Sequence, residues 1–330
     1  MNWLTAALDC IAAEQPAVLV TVAEARGSTP RESGAKMLVR ERDIVGSVGG
    51  GQLELLAIDA ARKLMVDKAM RPDLMRYSLG PDLGQCCGGA VRLLLEPLSR
   101  TDRRWLTKWQ RLLSSPATGL LITASDGGKS WADGATAEDG ARIAESASQG
   151  WQVIETVRST ARPLWLFGAG HVGRALAKVV AELPFDVTWL DSRFDGFPAE
   201  IPAGVRHVVA PRLAETVDEA PPATLFLVLT HSHQLDLEIC DRVLQRGDFA
   251  FLGLIGSATK KARFLGTLKG RGHGASVLER LVCPIGLAQV PGKQPMAIAV
   301  ATAAQLLALP AAQEANAESE QSTGNRRGAG

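Results

Sequence analysis

Aromatic side chains make up only 5% of this 330-residue chain, and Tyr77 is the single tyrosine. Aliphatic side chains and alanine must therefore fill its cores. The lone tyrosine also removes one familiar acid/base device, because a Tyr-x-x-x-Lys pair would need a lysine at position 81, where Pro81 stands. Long apolar runs are missing, and none approaches the roughly 20 residues of a membrane span. Charge of neither sign is in excess: the net charge of +1 gives no global field to attract a polyanion. Nucleic acid and acidic membrane surfaces are thus poor default partners. The five cysteines are few and odd in number, which points to a reducing compartment rather than a disulfide scaffold. Residues 1–14 lack a basic leader and read as an amphipathic helix carrying Asp9 and Glu14. These absences together predict a cytoplasmic protein without a membrane segment.

What remains is a globular composition, 46% hydrophobic and 22% charged, long enough for two domains. Between Ala17 and Leu98 short strand-like runs dominate: 18–22, 36–39, 44–45 and 91–95, separated by turn residues such as Gly27-Ser28-Thr29-Pro30. One helix interrupts them, with Leu53, Leu56, Ala57, Ala60, Ala61, Leu64 and Met65 at helical spacing. From Thr101 to Trp151 the pattern weakens, leaving a strand at 119–123 and a turn at Asp126-Gly127-Gly128. The second half alternates strands (164–167, 187–190, 205–209, 224–229, 250–255) with helical stretches such as 172–183 and 235–245. That alternation predicts βαβ units and a parallel sheet. A last helix is expected over 296–309, and the polar, aperiodic stretch 311–330 reads as a disordered tail. The predicted domains are 1–160 and 161–310.

Within the second domain, Gly168-Ala169-Gly170-His171-Val172-Gly173 matches G-x-G-x-x-G. Its context carries the weight, since it follows an apolar strand, opens an apolar-periodic helix, and has Asp191 21 residues beyond Gly170. Gly168 permits the turn, Gly170 clears room for a pyrophosphate and Gly173 allows close helix–strand packing. The unpaired amides at the helix start, beside His171, favour an anion. Asp191 stands where an acid meets a ribose hydroxyl, so NAD(P) or another nucleotide is one candidate ligand. The alternative is glycines required by geometry alone. The predicted class is α/β: an N-terminal mixed α+β domain followed by a Rossmann-like parallel-sheet domain.

The first domain holds a second set of loops. Gly49, Gly50 and Gly51 run into a helix and would expose backbone amides there. Upstream, Arg26, Ser28, Thr29 and Arg31 supply guanidinium groups and hydroxyls, the donors an oxyanion or phosphate prefers. Ordinary turns with solvated arginines are the bland alternative. Cys86 and Cys87 are adjacent and lack nearby histidines, which argues against a tetrahedral zinc site; they could offer a soft thiolate to molybdenum or carry sulfur, or be inert. His231-Ser232-His233, in a segment read as extended, could place two imidazoles on one side, but no third metal ligand is evident. Lys260, Lys261 and Arg263 could face an anion or simply solvate a helix.

These segments together resemble the XdhC/CoxI family of xanthine dehydrogenase accessory proteins. The matching stretches are EARGSTPRESG (24–34), GSVGGGQLE (46–54), QCCGG (85–89), LFGAGHVG (166–173), LTHSHQLDL (229–237), GLIGSATKKARF (253–264) and CPIGL (283–287). The resemblance implies a carrier rather than a catalyst. Such a protein binds molybdenum cofactor (molybdopterin), protects it while a cysteine desulfurase exchanges an oxo ligand for sulfur, and delivers it to apo xanthine dehydrogenase. Position by position it makes the Arg26–Arg31 and Gly49–Gly51 loops cofactor contacts, and Cys86 or Cys87 a ligand for the metal or its sulfur. It leaves the second domain to a nucleotide or the pterin phosphate, and a homodimer is expected. The family pattern also implies acids after Lys293-Gln294-Pro295, where Met296-Ala297 stand instead. Two other readings stay open: an NAD(P)-dependent oxidoreductase with His171, His231 or His233 as proton donor, and an interaction module without chemistry.

Overall fold

A computed structural model describes residues 2–66, 71–80, 88–115, 117–133, 139–146 and 150–310. Cys86, Cys87 and the stretch 311–330 lie outside them. The chain divides into two compact units, Met1–Ser159 and Thr160–Gly330.

Unit 1 opens with α1 (Trp3–Ala12), capped by the Asn2 side chain, which accepts from the amides of Leu4 at 2.7 Å and Thr5 at 3.3 Å. Strands β1 (Ala17–Arg26), β2 (Lys36–Arg40), β3 (Ile44–Gly46), β4 (Asp73–Ser78) and β5 (Ala90–Pro97) form an antiparallel sheet in the order β3-β2-β1-β5-β4. Central β1 is apolar on both faces because both are covered. Val18, Val20 and Val22 pack on Leu53, Ala57 and Ala61 of α2 (Gly51–Val66). Ala17 and Leu19 pack on α1 and on Trp105, Leu106 and Trp109 of α3 (Arg103–Leu113).

The weakly patterned stretch after Thr101 contains α3 and a second antiparallel sheet. Its strands are β6 (Gly119–Ala124), β7 (Lys129–Asp133), β8 (Ala141–Ser146) and β9 (Gly150–Val157), in the order β7-β6-β9-β8. Two buried ion pairs tie the sheets in opposite directions. Lys36 of β2 reaches Glu155 of β9 and the Thr21 hydroxyl at 2.8 Å, with the Trp109 ring 4.9 Å from its ammonium. Lys129 of β7 reaches Glu96 of β5 and the Thr123 hydroxyl at 2.9 Å, beside the Trp105 ring at 4.5 Å.

Unit 2 is the parallel sheet that the alternation predicts. Strands β10 (Arg162–Phe167), β11 (Phe185–Asp191), β12 (Val205–Val209), β13 (Leu225–Val228), β14 (Phe251–Leu254) and β15 (Leu281–Val282) lie in the order β12-β11-β10-β13-β14-β15, every neighbouring pair parallel. Side-chain alternation sends Trp165 and Phe167 to one face, against Ile239 and Val243 of α5 (His233–Arg246) and Phe264 of α6 (Ala258–Gly270). Leu164 and Leu166 go to the other, against Leu176 and Val180 of α4 (His171–Val180) and Ala303 and Leu306 of α8 (Pro295–Leu307). A one-turn α7 (Ala275–Leu278) precedes β15. The sheet order reverses direction between β10 and β13, the switch point where such folds leave a crevice at the strand ends. No helix of the described residues is long and apolar enough to cross a membrane.

Candidate functional site

In unit 1 the structure brings three sequence-distant segments together. A β-carbon added at Gly49 would meet Pro30 at 2.4 Å, so the glycine run touches the Arg26–Arg31 loop. One added at Gly89 would meet the carbonyl oxygens of Ser28 at 2.4 Å and Arg26 at 2.6 Å, so the backbone just after the two cysteines presses on the same loop. Only glycine, which lacks a β-carbon, allows these approaches. Arg26 is 74% exposed and bonds Glu24 at 2.8 Å, while Arg31 is 42% exposed and bonds Glu32. Thr29 donates to the Arg31 carbonyl at 3.1 Å, which shapes the loop, and Ser28 is exposed.

The glycine run itself differs from the expectation of open amides. Glu54, in the first turn of α2, accepts from the Ser47 hydroxyl at 2.5 Å and from the amides of Val48 and Gly50 at 3.2 Å, and the Ser47 hydroxyl accepts from the Gly49 amide. A resident carboxylate thus holds the place at this helix entrance that an external anion would take. Glu54 was the signal available in the sequence, an acid within one turn of the glycines. Beside Arg26, a hollow of about 370 Å³ is lined by Glu24, Arg76, Arg92 and Glu145. Arg92 pairs with Glu145 at 2.6 Å, and Arg76 makes no ion pair among the described residues. Those two arginines carry no motif, lying in strands, and only the fold places them beside the loop.

In unit 2 the strand ends converge in the same way. A β-carbon on Gly168 (φ +114°) would lie 2.2 Å from the Leu229 carbonyl oxygen, and one on Gly173 2.0 Å from that of Gly168. These two glycines are required by packing. Gly170 is different: a β-carbon there meets nothing within 4 Å. His171 begins α4 and is exposed.

Asp191 ends β11 and is 1% exposed. Its carboxylate accepts from the Ala169 amide at 2.7 Å, the Arg193 amide at 2.9 Å and the Arg193 guanidinium at 3.0 and 3.1 Å. Burial alone would raise its pKa, but the Arg193 and amide hydrogen bonds outweigh it and hold the carboxyl below its ordinary range. Both oxygens are therefore engaged within the protein, and a ribose hydroxyl would have to displace Arg193.

The His231–His233 segment is a helix start rather than an extended stretch. Ser232 caps α5 by accepting from the Leu235 amide at 3.4 Å, and His233 is already helical, so the strand-like geometry expected of an H-x-H ligand pair is not formed. No cluster of three or more metal-ligating side chains occurs among the described residues. Lys260 turns inward, donating to Asp236 at 2.7 Å and the Ile255 carbonyl at 2.9 Å, while Arg263 is exposed. Asp236, fully buried, also accepts from the Thr230 amide at 2.9 Å and hydroxyl at 2.7 Å. Asp236 thus holds the ends of β13 and β14 together, a role that a lone acid in a helical pattern does not announce.

Two loop clusters of this kind on a two-unit chain can be compared with known proteins. Residues 10–78 match the XdhC and CoxI family, and residues 164–306 match the XdhC Rossmann domain. The chain belongs to the XdhC and CoxI family. It is 25% identical over 287 residues to the molybdenum cofactor insertion chaperone PaoD of Escherichia coli, covering 85% of this chain and 80% of that one. It is 25% identical over 333 residues to a probable xanthine dehydrogenase subunit from Bacillus subtilis, covering 91% and 95%. It is also 25% identical over 315 residues to the uncharacterized protein YqeB of Escherichia coli, of which it spans 46%. A crystal structure described as a xanthine dehydrogenase from Bacillus halodurans shares the fold, with a TM-score of 0.71, 23% identity and 94% and 96% coverage.

Proposed function

We propose that this chain is a cytoplasmic molybdenum-cofactor chaperone, which binds the cofactor as cargo, shields it during sulfuration by a cysteine desulfurase and delivers it to apo xanthine dehydrogenase. The observation that carries this reading is the convergence of the Arg26–Arg31 loop, the Gly49–Gly51 run and the backbone next to Cys86 and Cys87, in a chain related to a named cofactor insertion chaperone. The donor set suits the cargo. Arg26 and Arg31 would neutralise phosphate, Ser28 and Thr29 would hydrogen-bond polar edges, and a cysteine thiolate is a soft ligand for molybdenum or its sulfur. Cys10, Cys240 and Cys283 do not compete for that role, since all three are buried and burial pushes their thiols up. Gly170 and His171 give unit 2 an open backbone for a second anionic group, either the pterin phosphate or a nucleotide. A homodimer is part of the proposal.

The test is anaerobic incubation of the purified chain with free molybdenum cofactor, then gel filtration with assay of molybdenum and pterin, and NAD(P) in parallel. Near-stoichiometric co-elution is expected, with retention lost in Cys86→Ala/Cys87→Ala while the fold persists. Nucleotide binding without molybdenum or pterin would overturn the proposal in favour of a nicotinamide-linked enzyme.

A further inference from the structure

Helix α3 carries Arg103, Arg104, Lys108 and Arg111 and no acidic residue. Its inner face, Trp105, Leu106 and Trp109, is buried, and the four cations are exposed within an arc of roughly 140° at ~100° per residue. This arrangement works against the helix. Arg104 and Lys108 are like charges at i,i+4, and Lys108 and Arg111 at i,i+3, both unfavourable. Arg103 and Arg104 also put positive charge on the positive end of the helix dipole. Asp102 before them is engaged by Ser99 and by the Trp105 indole at 2.7 Å. None of the four forms an ion pair among the described residues, although Lys108 lies over the Trp131 ring at 4.6 Å. A helix face kept soluble by charge has no need of one sign only.

Beside α3 runs a groove of about 1020 Å³, lined by these four cations and by Ser130 and Trp131 of β7. β7 is the edge of its sheet, and no described strand pairs with its outer side. The hairpin bond from the Ala124 amide to the Gly128 carbonyl (2.9 Å) sets the ladder, so Ser130 is the residue hydrogen-bonded to Ile122. The backbone N–H and C=O of Lys129 and Trp131 therefore point away from β6. We propose that this groove docks an acidic segment of a partner polypeptide, laid in extended form along β7 with its carboxylates on the α3 guanidinium groups. The unpaired strand edge selects a polypeptide over a nucleic acid, because a phosphodiester backbone has no N–H to give a strand carbonyl. Residues 100–131 lie outside both segments that match the family, so the groove is read from this chain alone.

The test uses the full chain and a fluorescent ten-residue peptide of alternating Glu and Val, with a Lys/Val peptide and a single-stranded DNA decamer as comparators. Saturable binding of the Glu peptide is expected, and it should weaken about tenfold or more in R103Q/R104Q/K108Q/R111Q, whose unfolding midpoint should not fall. Arg104→Glu sets an acid four residues before Lys108, a favourable helix pair, so that variant should also stay folded while losing affinity. Amide exchange at Lys129 and Trp131 should slow when the peptide binds. No binding, tighter binding of the DNA, wild-type affinity in the quadruple variant, or unchanged exchange at both amides would each overturn the proposal.

Discussion

Three glycines of one fingerprint behave differently once their surroundings are counted. Gly168 and Gly173 sit where a β-carbon would strike backbone carbonyls at 2.2 and 2.0 Å, whereas Gly170 faces open space at φ −72°. Gly170→Ala should therefore unfold within about 1 kcal/mol of wild type, because alanine adopts that backbone freely. Gly173→Ala should lose several times that, on the order of 2–4 kcal/mol, because backbone must move. Urea titrations of both variants check the contrast, and equal losses would refute it. If unit 2 holds an anion against this loop, Gly170→Ala should weaken that binding while leaving the fold intact. Asp191 gives a second prediction at this scale. Its folded pKa is depressed, so its contribution to stability is present above the ordinary value of 3.8 and is lost as pH falls below it. Asp191→Asn should cost about 1–3 kcal/mol, evenly between pH 5 and 8, with the difference closing only below about pH 4. A difference that varies across pH 5–8 in urea midpoints would show that another group is responsible. The sequence shows Gly168, Gly170, Gly173 and Asp191 clearly, because spacing alone marks them. It does not show Arg193, since nothing in spacing says that a side chain two residues on will fold back and engage the acid.

Secondary elements were legible where both faces, or one clean face, are buried. β10, β11 and β13 lie within two residues of the stretches read from apolar runs, because a strand covered on both sides leaves an unbroken signature. α6 buries only Phe264 and Leu268, and β8 exposes most of its residues, so neither leaves a strong period. β7, β8 and β9 were hidden for a related reason: part of what fixes them is a pair of buried lysine–glutamate contacts, which look like surface residues in a sequence. β6 and the turn after it do leave a signal, and so do Trp105, Leu106 and Trp109 of α3, which recur at helical spacing. The lysine–glutamate contacts yield a prediction at the element scale. Lys36→Met leaves Glu155 buried without its cation and should cost about 3–5 kcal/mol, while Lys36→Met/Glu155→Leu should recover most of that. Chemical unfolding followed by tryptophan fluorescence reads the cycle, since Trp3 and Trp109 stack around the Lys36 ammonium at 5.3 and 4.9 Å. A double variant as unstable as the single one would mean that the pair does more than balance its own charge.

At the scale of the whole molecule, each unit has its own core. The buried clusters of unit 1 draw on residues 4–157, and those of unit 2 on residues 164–306. A fragment of residues 160–310 should therefore unfold cooperatively by itself, with a sigmoidal urea transition and dispersed amide resonances. A molten fragment without a transition would show that its core needs the first unit. Regular alternation is what made the parallel sheet of unit 2 readable, since periodicity survives without knowledge of contacts. The convergence of the unit 1 loops was not readable in that way, because Gly49 meets Pro30, and Gly89 meets Arg26 and Ser28, through the fold rather than through sequence proximity. The Lys36–Glu155 contact, separated by 119 positions, also has a consequence for biosynthesis. At translation rates of about 5–20 residues per second, Lys36 waits roughly 6–24 s on the ribosome for its carboxylate to be made. Until then the first sheet can pair its strands but cannot bury that ammonium with its partner, so completion of unit 1 is timed by the arrival of its last strand.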